Sequence, residues 1–313
     1  MTIFDGILQG IIQGATEFLP VSSSGHLSIS QHCFGIQLPG ILFDVMLHLG
    51  TLLAVLFVYR KLILRLLKEL GRLCMDIVYR RFKWSEMSPD RRLLMMLIIG
   101  LLPLFLLFLP IPGTGMKIKD LSELLASDTG IVAEGLALLA TSGLLFLGIQ
   151  ANQRTTSKRI VNREGREVPT KGRRKIHTID ALSMGFAQLM AAIFPGLSRS
   201  GSTMSAGLLR GINQQTALDY SFVLGIPAIA AAALVSLKDV GESGASIGAG
   251  PIIAGLLSAM VVGFLAIKLL RWIVTTDKLN IFAYYTLIVG GIVTVIGIIE
   301  HIVGHNLFTG APL

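Results

Sequence analysis

The chain alternates long apolar stretches with shorter polar segments. Six of the apolar stretches contain about 20 residues, which is the length that a helix needs to cross a bilayer. They cover roughly residues 41–59, 93–111, 131–150, 216–237, 251–271 and 281–303. The pattern therefore predicts six transmembrane helices.

The polar segments between these stretches predict the topology. The segments 60–92 and 151–178 carry nineteen of the 27 lysine and arginine residues of the chain. Basic segments beside membrane helices stay on the cytoplasmic side. The segments 112–130 and 238–250 carry charges of both signs, so we expect them outside.

Two further segments, 1–35 and 179–212, are too short for two full crossings, and a Pro/Ser/Gly turn interrupts each of them. The topology requires both ends of the first to lie outside and both ends of the second to lie inside. We therefore predict two re-entrant helical hairpins that enter from opposite faces, each followed by three spans, as in an inverted-topology repeat. The alternative, a single tilted span for each segment, would place three consecutive serines in lipid.

The predicted fold class is thus an all-α integral membrane protein, with six transmembrane helices and two re-entrant hairpins in one membrane domain. Its first half covers 1–150 and its second half covers 179–313, with the basic linker 151–178 between them. Non-helical backbone is tolerated at membrane depth only where it is buried in protein or lines a wet cavity. We therefore expect the two hairpin turns to form a site.

Composition agrees with a membrane protein. The chain is 52% hydrophobic and only 15% charged, with a mean hydropathy of +0.71, whereas soluble domains carry about 25% charged residues. No basic region precedes the first apolar stretch, so a signal peptide is not expected. The two basic linkers account for the net charge of +8, and a nucleic-acid partner is not expected. Cys33 and Cys74 have no metal-binding or redox spacing.

Both hairpins carry the same short pattern, in which Gly-x-x-Gln is followed, seven residues after the glutamine, by a proline and then a Ser/Gly-rich turn. The pattern occurs at Gly10, Gln13 and Pro20 and again at Gly185, Gln188 and Pro195. The polar residues of the two turns differ. A duplicated scaffold with complementary turns is one way to build a single site from two halves.

The first hairpin carries a carboxylate at Glu17. Gln13 and Glu17 are four residues apart and share a helix face. A carboxylate inside a membrane costs about 2.5–3.5 kcal/mol and is usually functional. It needs a divalent cation or an arginine as its partner, unless it lies near the interface and is simply solvated.

The turn after Pro20 contains three serines and a histidine. Ser22, Ser23 and Ser24 precede a short helix, where hydroxyl groups and free N–H groups form a cradle for an anion. His26 is a candidate nucleophile, general acid or general base. A purely structural histidine is the alternative.

The second turn places Arg199 at its tip. Arginine binds phosphate oxygens with paired hydrogen bonds and stays charged when water is removed. A structural ion pair between Arg199 and Glu17 is the alternative, and a substrate could open such a pair. The other candidate phosphate-binding residues of this turn are Ser198, Ser200, Gly201 and Thr203. We expect Gln13, Gln188 and His48 to support the site without contacting the reacting atoms.

These motifs resemble the undecaprenyl-diphosphate phosphatase family of bacterial membrane enzymes, which is associated with bacitracin resistance. The resemblance rests on Gln13–Glu17, Pro20–His26 and Pro195–Thr203, and the segment Phe43–Ala54 is similar to the family's next segment. It covers essentially the whole chain. The family pattern permits glutamine at position 13, but Gln13 cannot act as an anionic metal ligand or as a base.

The resemblance implies hydrolysis of undecaprenyl diphosphate to the monophosphate carrier lipid used in cell-wall synthesis. It implies a divalent cation, Mg²⁺ or Ca²⁺, and a pocket that opens to the outer side of the bacterial cytoplasmic membrane. In the mechanism that we expect, Glu17 holds the metal or orients the nucleophile and Arg199 binds phosphate. Ser23 or His26 attacks phosphorus. Membrane lipids surround the protein, and the sequence leaves a homodimer open.

Two other classes of protein share some of these features. Inverted repeats and broken helices also occur in secondary transporters, so a polyprenyl-phosphate flippase or a transporter of an anion is the alternative function. Another membrane phosphatase family carries Pro-Ser-Gly-His and a Ser-Arg pair followed six residues later by histidine. Ser205 occupies that position here, which excludes this family.

Overall fold

The computed structural model of the chain is mainly helical and describes residues 1–36, 41–126, 130–155, 157–161, 167–240 and 248–312. The helices of the first half are α1 (Ile3–Phe18), α2 (Ser23–Phe34), α3 (Ile41–Val58), α4 (Arg60–Val78), α5 (Pro89–Leu101), α6 (Ile118–Ala126) and α7 (Val132–Arg154). Those of the second half are α8 (Thr178–Ile193), α9 (Arg199–Leu209), α10 (Gln214–Val240), α11 (Ala249–Thr275) and α12 (Asn280–Val303). Short 3₁₀ helices cover Trp84–Glu86 and Leu102–Phe108.

The predicted spans coincide with these helices. Among the described residues, five segments are long and apolar enough to cross a membrane: α7, α11, α12, residues Gln214–Ser236 of α10, and Pro89–Phe108, which joins α5 to the following 3₁₀ helix. A sixth candidate is the pair α3 and α4, which is bent by 87°, and its first helix covers the predicted span 41–59. The prediction of an all-α integral membrane protein is confirmed.

The first basic linker contains the amphipathic helix α4, which hydropathy alone did not predict. Leu66, Glu69 and Leu73 are buried against the protein. Glu69 accepts hydrogen bonds from Arg72 at 2.7 Å and from Arg91 at 3.2 Å. The hydrogen bond from Arg72, opposed by burial and aided by Arg91, holds the pKa of Glu69 below its ordinary value. This cluster fixes α4 against the start of α5.

The second basic linker contains two short antiparallel strands, β1 (Ser157–Val161) and β2 (Glu167–Lys171), in which Ser157 pairs with Lys171. The sequence analysis did not predict this hairpin. Residues 127–129, 162–166 and 241–247 of the predicted polar segments lie outside the described residues.

Proline breaks each predicted hairpin into two helices. The residue before a proline is disfavoured in the helical region, and α1 ends at Phe18, two residues before Pro20. Ser22 then adopts a φ of 73° and caps α2 by accepting a hydrogen bond from the Gly25 N–H at 3.2 Å. In the second hairpin, α8 ends just before Pro195, and Ser198 caps α9.

The first hairpin packs on α11 through small residues. Gly6, Gly10 and Gly14 of α1 recur every fourth residue and face the α11 backbone around Pro251, Gly255 and Ala259. Close approach through small residues is a common way for membrane helices to associate. This contact fixes the position of α1 and of Glu17 near its end.

The two hairpins open towards opposite ends of α11. The base of the first lies at the start of α11, where Gly6 faces Pro251. The loop after the second lies at the other end, where Gln214 donates to Asp277 at 2.8 Å, two residues beyond α11. In addition, α3 contacts α10 and α7 contacts α12, so these helices meet their counterparts in the other half. This arrangement supports entry from opposite faces, while the orientation in a membrane stays a prediction.

Candidate active site

The tips of the two hairpins meet at Glu17, which is only 7% exposed. Arg199 of the second hairpin donates from Nη2 to Glu17 Oε1 at 2.6 Å. Ser23 Oγ donates to Glu17 Oε2 at 2.7 Å, and Gln13 Nε2 donates to the same oxygen at 3.0 Å. One buried carboxylate therefore connects a candidate nucleophile to the arginine of the opposite half.

Arg199 is held in place by its own helix and by α10. It is the first residue of α9, and its guanidinium lies against the backbone of Gly225 in α10. Its side chain is 19% exposed. Because a guanidinium carries five N–H donors, the contact with Glu17 leaves donors that can bind the oxygens of an anion.

Two helices begin at this meeting point. α2 starts at Ser23 and α9 starts at Arg199, and the amino end of a helix favours negative charge. Ser22 and Ser198 cap these helices, and Ser198 Oγ accepts a hydrogen bond from the Gly201 N–H at 3.0 Å. The convergence of two helix ends and one arginine makes the turns suitable for an anionic group.

The remaining residues predicted to bind phosphate differ in their surroundings. Ser24 is exposed, whereas Ser200 Oγ donates to the carbonyl of Leu19 at 3.0 Å and so joins the two turns. The buried Thr203 hydroxyl donates to the Arg199 carbonyl at 2.9 Å, and it also hydrogen-bonds Ser221 at 2.5 Å. Phosphate binding stays a prediction for the six residues of the two turns: Ser22, Ser24, Ser198, Ser200, Gly201 and Thr203.

His26 lies one turn into α2 and is held on both ring nitrogens. Nδ1 lies 2.7 Å from the Ser22 carbonyl oxygen, and Nε2 lies 2.8 Å from the Tyr285 hydroxyl. The rings of His26 and Tyr285 are stacked with centroids 5.6 Å apart. Only Ser23, of the two candidate nucleophiles, is hydrogen-bonded to Glu17. A nucleophile beside a base is the arrangement that activates a hydroxyl, so the geometry favours Ser23.

The supporting residues lie at unequal distances from Glu17. His48 Nδ1 contacts the Asp44 carbonyl oxygen at 2.9 Å, and its Nε2 lies 3.8 Å from Glu17 Oε2. Gln188 is 2% exposed, and neither amide atom of its side chain has a hydrogen-bond partner among the described residues. Gln13 and His48 therefore surround the carboxylate, whereas no hydrogen bond joins Gln188 to it.

Several residues of the site were not predicted. Thr141 Oγ1 accepts a hydrogen bond from the Ser198 N–H at 3.1 Å, and Glu134 accepts one from Ser28 at 2.7 Å while its Cα packs beside the second turn. Tyr285 and Gly225 have the contacts given above. All four lie in apolar spans. A carboxylate inside a span is a signal that could have identified Glu134, whereas a threonine, a tyrosine or a glycine there gives none in a single sequence.

The donors around Glu17 suit a hard divalent cation that is shared with a phosphate. Besides the carboxylate, Gln13 Oε1 is buried and has no hydrogen-bond partner among the described residues. Mg²⁺ commonly takes one or two carboxylates together with substrate phosphates and water. The described residues contain no cluster of three His, Cys, Asp or Glu side chains that would hold a metal by themselves. The residues therefore fit a cation whose other ligands come from substrate.

The fold and the site together define a multi-pass membrane protein with a buried polar site between two helical hairpins. A family profile described as bacitracin resistance protein BacA matches residues 6–292. The chain belongs to this family.

Curated relatives match along nearly their whole length, and all of those named here are called undecaprenyl-diphosphatase. The protein from Methanobrevibacter smithii is 38% identical, over 96% of this chain and 100% of its own. The protein from Desulfosudis oleivorans is also 38% identical, over 95% of this chain and 99% of its own. The protein from Alkaliphilus metalliredigens is 37% identical, over 94% of this chain and 98% of its own.

Proposed function

We propose that this protein is an undecaprenyl-diphosphate phosphatase, which releases inorganic phosphate and returns the monophosphate carrier lipid to cell-wall synthesis. The names of its relatives and its family support this function. The observation that carries the proposal is the chain of contacts from Ser23 through Glu17 to Arg199. It combines a hydroxyl nucleophile, a base and a phosphate-binding cation in one buried place.

Binding of the diphosphate begins when the substrate opens the ion pair between Arg199 and Glu17. The terminal phosphate takes the guanidinium of Arg199 away from Glu17, and the amino ends of α2 and α9 add their positive potential. The Glu17 oxygen that accepted from Arg199 is then free, while the other oxygen still accepts the hydrogen bond from Ser23 and can take its proton.

The chemical step transfers the terminal phosphoryl group to Ser23. Its Oγ attacks the terminal phosphorus and gives its proton to Glu17. As the bond between that phosphorus and the bridging oxygen breaks, Glu17 passes this proton to the bridging oxygen, and undecaprenyl phosphate leaves. Water, deprotonated by Glu17 or by His26, then hydrolyses the phosphoserine to serine and inorganic phosphate. Arg199 stabilises charge on the transferred group in both steps, as phosphoryl transfer requires.

We further propose that Glu17 and Gln13 Oε1 hold a divalent cation, Mg²⁺ or Ca²⁺, together with the diphosphate. Such an ion neutralises phosphate charge when it is bound. The proposed site opens to the outer side of the bacterial cytoplasmic membrane, and the polyprenyl tail passes between helices into lipid. The base of the first hairpin lies at the end of α11 that is predicted to be outside, which agrees with this orientation.

The test is release of inorganic phosphate from undecaprenyl diphosphate by purified protein in detergent, with and without EDTA. Loss of one preorganised charged donor costs about 10²- to 10³-fold in turnover. We therefore expect losses of that order in Arg199→Ala and at least as large in Glu17→Gln and Ser23→Ala. Ser183→Ala is the matched control, because Ser183 Oγ donates only to the Ile179 carbonyl of its own helix.

The variants also distinguish the two nucleophiles. His26→Ala should keep more activity than Ser23→Ala, and a rapid quench should trap phosphoserine in the wild type. The reverse order would make His26 the nucleophile. If folded wild-type protein with added metal releases no phosphate, the alternative of a flippase or transporter replaces this proposal, since detergent leaves no compartments to transport between.

A further inference from the structure

A cavity lies away from the hairpin tips, beside the beginnings of α5 and α10. Its volume is about 600 Å³, which is within the usual range for small-ligand sites. Its walls come from α4, the segment before α5, α5, the segment before α8, and α10. They are formed by Leu62, Met87, Pro89, Arg92, Leu93, Arg174, Lys175, Ile176, Thr216, Asp219, Tyr220 and Val223.

The cavity combines an apolar wall with an excess of positive charge. Arg92, Arg174 and Lys175 contribute three cations, whereas Asp219 is the one acidic residue of the lining. Asp219 already accepts a hydrogen bond from Tyr59 at 2.6 Å. The Nε atom of Arg92 is buried and has no hydrogen-bond partner among the described residues. A buried donor without an acceptor leaves a position that an anion or a water molecule can fill, and the positive charge of the lining favours an anion.

The cavity lies at the depth where the headgroups of the membrane lipids are expected. The spans Pro89–Phe108 and Gln214–Ser236 both begin at it, so it lies at the end of the membrane-crossing region. The neighbouring helix α4 is bent by 87° from α3. On α4, exposed Leu64, Leu67 and Val78 form one stripe and the basic residues Lys61, Arg65, Lys68 and Arg72 form another. This pattern is typical of a helix that lies in the plane of the interface.

The cavity is separated from the hairpin site. Three aromatic rings, those of Phe18, Phe222 and Tyr59, lie between them in edge-to-face contact, with centroids 5.3 Å apart for the first pair and 6.4 Å apart for the second. All three side chains are buried. Glu17 precedes the first of these rings in sequence, and the Tyr59 hydroxyl contacts Asp219 of the cavity. The cavity is therefore a separate site on the other side of the aromatic rings.

We infer that this cavity binds the headgroup of a phosphate-bearing lipid on the face predicted to be cytoplasmic. The phosphate contacts Arg92, Arg174 and Lys175, and the first part of the tail lies against Leu62, Leu93, Ile176 and Val223. The lipid is either an anionic phospholipid of the membrane or a polyprenyl monophosphate, because both present the same headgroup chemistry. The inference does not rest on the proposed phosphatase activity.

The experiment measures lipid bound to the purified full-length protein by native mass spectrometry. The probes are phosphatidylglycerol, undecaprenyl phosphate and, as a zwitterionic reference, phosphatidylcholine. One variant, Arg92→Gln/Arg174→Gln/Lys175→Gln, removes the three charges of the cavity. A second, Thr216→Phe, fills the cavity and leaves its charge unchanged. The control, Lys61→Gln/Lys68→Gln/Lys278→Gln, removes the same charge from exposed positions. Gel filtration and thermal unfolding verify that each variant is folded.

We expect wild type and control to retain at least one of the two anionic lipids and to discriminate against phosphatidylcholine. Each basic residue near a membrane surface contributes roughly fivefold to the binding of an anionic lipid. The cavity triple variant should therefore lose at least tenfold in binding, and Thr216→Phe should show a comparable loss. The relative retention of phosphatidylglycerol and undecaprenyl phosphate identifies the source of the headgroup.

Any of the following results would overturn the inference: an equal loss in the control triple variant, which would indicate general surface attraction, full retention by Thr216→Phe, or equal binding of phosphatidylcholine. Displacement of the lipid by millimolar inorganic phosphate alone would also contradict it, because the apolar wall would then contribute nothing.

Discussion

Arg199 reaches Glu17 because the residue that faces it on α10 has no side chain. A β-carbon on Gly225 would overlap the terminal nitrogen and the central carbon of the guanidinium. The sequence gives no reason to select Gly225 from the 34 glycines of the chain. In the structure, Gly225 shapes the space in which the guanidinium of Arg199 lies.

Gly225→Ala is expected to impair turnover while the protein stays folded. The added methyl group meets the far end of a flexible side chain, so the guanidinium moves and the backbone does not. We expect a fall in phosphate release of about 10²-fold, comparable to the loss of a preorganised donor. The measurement is kcat together with the thermal unfolding temperature.

The matched control for this variant is Gly143→Ala, because a β-carbon there meets no atom within 4 Å. It should leave turnover unchanged. Wild-type turnover in Gly225→Ala would show that Arg199 works from another position.

The sequence identified the charged residues of the site but not the residues that position them. Glu17, Ser23 and Arg199 could be predicted because polar residues in a Pro/Ser/Gly turn at membrane depth are costly and need a purpose. Tyr285 lies 259 positions after His26, within an apolar span where tyrosine is unremarkable. Only the fold brings the two together.

Helices α1 and α11 pack closely through small residues. The face of α1 that carries Gly6, Gly10 and Gly14 lies very near the α11 backbone. A β-carbon on Gly10 would overlap the Gly255 carbonyl oxygen. Neither partner is a flexible side-chain end, so a larger residue must move a whole helix. Since α1 carries Glu17, this contact also positions the carboxylate that we propose as the base.

Gly10→Ala should destabilise the protein, although alanine favours helices more than glycine does. Overpacking costs about 1–3 kcal/mol, which corresponds to several degrees in the unfolding temperature of a chain of this size. Thermal unfolding in detergent measures it. Gly291→Ala in α12, where a β-carbon meets no atom within 4 Å, should be neutral or slightly stabilising. Equal unfolding temperatures for the two variants would contradict the close contact.

Helices could be predicted from the sequence where apolar residues form a continuous stretch. The six apolar stretches each coincide with a described helical segment because their length alone identifies them. Helix α4 was missed because charged residues at every third or fourth position lower its mean hydropathy. The β1–β2 hairpin was missed because its residues alternate too weakly to be distinguished from a basic linker.

For the molecule as a whole, the two hairpin bases at opposite ends of α11 imply a definite sidedness. The segment after α12 lies at the base of the first hairpin, where Asn306 donates to the His32 carbonyl at 3.0 Å and Thr309 packs beside Gly35. Helix α4 belongs to a basic segment and is expected on the cytoplasmic side. The two natural cysteines make this sidedness measurable.

Thiols on the two sides should react from opposite faces of the membrane. In Cys33→Ser, the exposed Cys74 of α4 should react with an impermeant maleimide only after permeabilisation. In Cys33→Ser/Cys74→Ser/Thr309→Cys, the new thiol should react in intact spheroplasts. Labelling of both positions from the same face would contradict the proposed orientation and the opposite entry of the hairpins.

The aromatic rings of Phe18 and Phe222 bear on the membrane potential. Moving one charge across a potential of 100 mV is worth about 2.3 kcal/mol. A polar site that hairpins enter from both faces of the membrane could let protons or ions leak across it. Phe18 and Phe222 are each only 1% exposed, so two buried apolar rings lie next to Glu17. We expect these rings to let the protein admit a highly charged headgroup from one surface without conducting protons or ions to the other.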